Sequence, residues 1–112
     1  MKIYALAAVA ALSALAACAE RPEAIAPAYV SPVVYQDWTC QQLGEEEARL
    51  NTAYVTAAGQ QNNARANDTA GVIFLGLPTA SMAGENVAPQ IASIKGQQDA
   101  VRQTENRKNC GR

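Results

Sequence analysis

The chain has 112 residues, room for one small domain, with 9 basic and 10 acidic side chains for a net charge of −1. Its hydrophobic fraction is 49%, much of it alanine, and its aromatic fraction only 5%, so its core is thin and calls for a staple or a partner. The charge balance argues against nucleic acid as a partner, and the absence of histidine removes the commonest general base and metal ligand.

Met1 and Lys2 form a short positive start, and Ile3 to Leu12 an apolar run too short to span a bilayer permanently. Ser13 and Ala14 lead into Leu15-Ala16-Ala17-Cys18. A peptidase needs small side chains beside its cut, and a thiol is the nucleophile that takes up a diacylglycerol. Charge, apolar run, leucine, two alanines and cysteine, in that order, resemble the signal peptide and lipobox of bacterial lipoproteins. The resemblance implies removal of residues 1–17 by cleavage between Ala17 and Cys18, lipid attachment at Cys18 and a membrane anchor facing the periplasm. Ala19 stands where Asp favours inner-membrane retention in enterobacterial lipoproteins, so the outer membrane is expected over the inner. The competing reading is an ordinary secretory signal cut near Ala17 or Ala19. Loss of Lys2 leaves eight basic against ten acidic side chains.

Residues 18–36 form the anchor and an extended Pro/Ala-rich tether. Pro22, Pro27 and Pro32 recur every five residues and favour extended backbone. At about 3.1 Å per residue such a tether reaches at most roughly 50–60 Å. The half near Cys18 is expected to be free, and the half from Tyr29 to Tyr35 to dock on the domain.

Residues 37–112 are expected to be all-α, an antiparallel two-helix hairpin closed by a disulfide. Thr39 and Gln42 fit a capping box, with Trp38 and Leu43 at the hydrophobic-staple positions. From there Cys40, Leu43, Glu47, Leu50, Tyr54, Ala57, Gln61 and Ala64 recur three and four apart, and the helix is expected to end near Ala66. The second helix follows Gly84, with Asn86 as cap and Pro89 in the first turn. Val87, Ile91, Ile94, Gln98 and Val101 continue the spacing, and Gly111 is the expected stop. In an exported chain Cys40 and Cys110 should pair, which sets facing residue numbers to sum to about 150. That register puts Tyr54 opposite Gly96 and Glu45–Glu47 near Arg102 and Arg107. Closing so long a loop stabilises by roughly 4 kcal/mol. An intermolecular bridge and a redox-active thiol are the alternatives, and no CxxC spacing supports the second.

Gly71 to Pro78, at the expected hairpin tip, is the most apolar run after Cys18. Its candidate interaction residues are Val72, Ile73, Phe74, Leu75 and Leu77. One reading folds it back, with Phe74 and Leu77 packed on the helix ends; the other leaves an exposed contact surface. The glycines are no phosphate loop, because no Lys-Ser/Thr follows and Pro78 breaks the helix.

Cys40 to Leu43, Gly71 to Ser81, Ile91 to Gly96 and Cys110 together resemble a family of short, uncharacterised bacterial envelope lipoproteins, to which no activity attaches. The expected role is structural or adaptor, with a membrane through Cys18, an envelope protein or a second copy as partners. A second copy would bury Leu50, Val55, Ile94 and Val101. The alternative is a membrane-active protein working through the tip. An enzyme is not expected: Glu45–Glu47 is a solvated first turn, and a hairpin offers no deep pocket. No cofactor and no metal are expected.

Overall fold

The computed structural model describes residues 2–6 and 18–111. The lipobox residues 15–17, and with them the cleavage position at Ala17, lie outside the described residues. Among the described residues the chain is helical, without strands, and Cys40 and Cys110 form a disulfide with their Cα atoms 5.4 Å apart. Short 3-10 turns at Pro22–Ala24 and Pro32–Tyr35 precede α1 (Cys40–Leu75), α2 (Thr79–Met82) and α3 (Ala88–Arg107). The chain divides into two units: Met1–Ala24 with Gly59–Ala88, and Ile25–Ala58 with Pro89–Arg112.

In the unit that holds the disulfide, α1 starts on the expected capping box. The Thr39 N–H donates to Gln42 Oε1 at 2.9 Å, and the Gln42 N–H to Thr39 Oγ1 at 3.1 Å. Leu43, Leu50 and Ala57 are buried from α1, and Ile91, Ile94, Ala100 and Val101 from α3. Gln98 Nε2 donates to Asn51 Oδ1 at 3.0 Å, and Lys95 Nζ lies 6.0 Å from the centre of the Tyr54 ring. With Cys40–Cys110, these pairs descend along one segment as they ascend along the other. Helix α3 ends at Arg107, four residues before the expected stop at Gly111. Asn109 takes the left-handed conformation at φ 56°, its N–H donates to the Asn106 carbonyl, and the Cys110 N–H donates to the Glu105 carbonyl at 2.9 Å. This is a Schellman ending with asparagine in the glycine position.

Residues 25–35 lie on α3 in this unit. The Ala28 N–H donates to the Ala92 carbonyl at 2.9 Å, and Lys95 Nζ to the Ile25 carbonyl at 2.6 Å. Ile25 and Tyr35 are buried, and the Tyr35 ring meets Trp38 edge-on at 4.9 Å. Of the residues expected to dock, Tyr35 is buried and Val30 half-buried, while Tyr29, Val33 and Val34 stay exposed. Gly96, expected to leave a gap for Tyr54, instead receives the Ala28 backbone, and a Cβ there would overlap the Ala28 carbonyl oxygen.

The other unit extends α1 to Leu75, nine residues beyond the expected end. Its buried positions, Gln61, Ala64, Asp68 and Gly71, keep the three-four spacing. Asn67, Asp68, Thr69 and Gly71 read as a loop because their side chains compete for local backbone. Here Thr69 Oγ1 donates back to the Arg65 carbonyl, and Asp68 turns to groups outside the helix. Gln61 is wholly buried and bonded: Nε2 donates to the Glu20 carbonyl at 3.0 Å and Asn86 Oδ1 at 3.1 Å, and Oε1 accepts the Val87 N–H at 2.8 Å. Ala19, Ala64 and Ala80 form a small apolar cluster, and Pro22 is buried.

The free, flexible half of the tether is therefore corrected. Residues 19–24 belong to this unit, because a proline-rich segment makes no ladder of its own and its backbone groups accept outside partners. Gly96→Ala forces a methyl against the Ala28 backbone. It should lower stability by about 1–3 kcal/mol, the cost of overpacking, read as a lower urea midpoint at unchanged m-value.

Candidate functional site

Asp68 is fully buried on α1 and gathers two other segments. Its Oδ2 accepts the Ala19 N–H at 2.9 Å, its Oδ1 accepts the Ser81 N–H at 2.8 Å, and the Ser81 hydroxyl also donates to Oδ2. Asn86 Nδ2 in turn donates to Ser81 Oγ at 3.2 Å. Burial disfavours the charge, but the donors from Ser81, Ala19 and Ala80 outweigh it and hold the carboxyl below its ordinary value. Cys18, the expected lipid-bearing residue, is half-buried beside Ala19 and takes no part in the disulfide.

Seven residues beyond Asp68, α1 ends in an apolar tip. Ile73, Phe74, Leu75, Leu77 and Met82 are 71%, 83%, 69%, 48% and 67% exposed, and Val72 is half-buried. Packing of Phe74 and Leu77 on the helix ends is thus overturned. The cause lies in two glycines. Gly76, at φ 73°, stops the helix as its N–H donates to the Val72 carbonyl at 3.0 Å. The chain then returns over Gly71, where a Cβ would meet the Leu77 carbonyl oxygen at 2.5 Å. The return covers the Gly71 side and leaves Ile73, Phe74 and Leu75 outward. Open grooves of about 440 and 450 Å³ flank Phe74, one lined by Gly71, Leu75 and Thr79, the other by Arg65, Thr69 and Ile73. No charged residue occurs from Thr69 to Gly84.

In the disulfide unit, Leu50, Ile94 and Val101 are buried within the chain, so only Val55 of the surface expected for a second copy stays exposed. The acids do not meet Arg102 and Arg107 as expected throughout: Glu46 pairs with Arg49 one turn along α1, and Glu47 stands by Glu105. Burial, and then the Glu47 carboxylate, push the Glu105 carboxyl up, with Arg102 opposing. Its buried Oε1 has no hydrogen-bond partner among the described residues.

Among the described residues no cluster of three or more potential ligands could hold a metal ion, and no helix is long and apolar enough to cross a membrane. The chain matches no protein family, no curated protein and no solved structure. Gln61 lies on the three-four seam read from the sequence, and Asp68 continues that seam beyond the expected helix end at Ala66.

Two substitutions probe these carboxyls. Asp68→Asn cannot accept from both Ala19 and Ser81, and the buried donor left over costs about 1–3 kcal/mol. Amide exchange at Ala19 and Ser81 should accelerate. Because the folded value is depressed, the wild-type contribution is complete above the ordinary 3.8 and disappears as pH falls through the lower folded value. The Asn variant should lack that acid sensitivity. Glu105 has the opposite sign: its raised value contributes stability below the ordinary 4.5, lost as pH rises through the folded value. Glu105→Gln should therefore raise the melting temperature at neutral pH and leave it nearly unchanged in acid.

Proposed function

We propose that this chain is a bacterial lipoprotein of the cell envelope with a structural or adaptor role. In this reading, cleavage falls between Ala17 and Cys18, and Cys18 carries the acyl chains. Residues 37–112 form a two-helix hairpin closed by Cys40–Cys110, facing the periplasm from the outer membrane in preference to the inner. The observation that carries the reading is Leu15-Ala16-Ala17-Cys18 closing an apolar segment that starts with Lys2. The disulfide agrees with it, since such bridges persist in exported proteins. So does cysteine parity: with Cys18 committed to lipid, the remaining two form the bridge.

A role in presenting a surface, with no reaction of its own, fits the side chains available. Gln60, Asn62, Asn63 and the other polar residues of α1 offer a wet contact surface to an envelope partner. A second reading, a membrane-active protein working through Val72 to Leu77, is favoured by the exposure of Phe74 and its neighbours.

Cells grown with labelled palmitate test the anchor. The wild-type chain should carry label and sediment with membranes, and Cys18→Ser should lose the label and leave the membrane fraction. An unlabelled wild-type chain would sink the proposal. Crosslinking in intact cells then tests the adaptor role, for which a specific envelope protein should co-purify with the labelled chain.

A further inference from the structure

We infer that the apolar end of α1 enters the same membrane leaflet that holds the acyl chains of Cys18, so that anchor and tip form one membrane seat. The inference rests on the lipoprotein reading above and names the occupant of the exposed face, a lipid surface.

The geometry comes from how the first residues after Cys18 lie on α1. The Glu20 carbonyl accepts from Gln61, and the Ala19 N–H donates to Asp68. One step back along the chain moves the partner seven residues toward the tip, and Cys18 is the next step back. From Asp68 to Phe74 the helix rises only about 9 Å. In a chain beginning at Cys18, the Ala19 N–H is the first ordinary peptide N–H, and it is the one the buried carboxylate takes. The acyl chains therefore cannot lie an extended tether's length from Phe74.

The surface presented there suits lipid. Ile73, Phe74, Leu75, Leu77 and Met82 are exposed, and the run from Thr69 to Gly84 carries no charge, with Arg65 and Glu85 bordering the grooves beside Phe74. An apolar tip of this size needs to enter only the headgroup and acyl boundary, about 5–10 Å deep. The segment is too short to cross a hydrocarbon core of about 30 Å. Insertion also gives a second membrane contact beside the acyl chains, which strengthens retention.

The test uses the full-length chain in a bacterial host that processes lipoproteins. Phe74→benzoylphenylalanine is compared with Val55→benzoylphenylalanine, both at exposed positions. Cells are irradiated intact, adducts are read by mass spectrometry, and palmitate at Cys18 is measured in the same samples. Lipid adducts at position 74 should exceed those at position 55 several-fold. With Cys18 labelled, protein adducts dominating at position 74, or no excess of lipid there, overturn the membrane seat and leave the lipoprotein reading standing. Absence of palmitate from Cys18 overturns both.

Discussion

A carboxylate buried on a helix is tolerated only where donors surround it, and Asp68 meets that condition with groups from outside its own helix. Removing its partners would leave a charge with no solvent. Ordering α2 and the segment after Cys18 is therefore part of satisfying Asp68. This explains how a unit with so little apolar mass holds together, since its cluster consists of Ala19, Ala64 and Ala80. Gln61 repeats the principle one level down the same seam, with every polar atom of its amide engaged. Specific hydrogen bonding here substitutes for bulk, and the exposed end of α1 depends on it, because the same contacts fix the return of the chain over Gly71.

The disulfide unit is built differently. Leucine, isoleucine and valine supply its core, and backbone motifs at both helix ends place its cysteines. The capping box fixes the chain at Thr39, just before Cys40. The Schellman ending turns Cys110 back toward Glu105. A bridge between two such ends closes a loop of sequence separation 70 and limits the unfolded ensemble more than a short loop would. Glu105 is an uncomfortable feature of it, half-buried against Glu47.

Patterns that depend on local chemistry were legible in the sequence. The capping box at Thr39 and the inward positions Leu43, Leu50, Ile91 and Val101 follow from spacing and cap chemistry alone, and the cysteine pair from the expectation of an exported chain. Harder to read were places where a residue of loop character is satisfied from a distance. Asp68 and Gly71 end a helix by propensity, yet Ala19, Ser81 and the returning Leu77 give each a reason to stay helical. The proline-rich stretch was misleading for the same reason. Regular prolines disfavour long helices and sheet ladders, but they say nothing about whether a carbonyl such as that of Ile25 meets Lys95. The tip was legible as apolar, while its exposure depended on the φ of Gly76 and the missing Cβ of Gly71.

The contacts of the segment after Cys18 also impose an order in time. Ala19 and Asp68 are 49 residues apart, and Ile25 and Lys95 are 70 apart. Residues 19–25 leave the ribosome long before their partners exist, and pairings this distant form late because loop closure precedes any gain from contact. On the lipoprotein reading, the enzymes that modify Cys18 therefore meet an open chain.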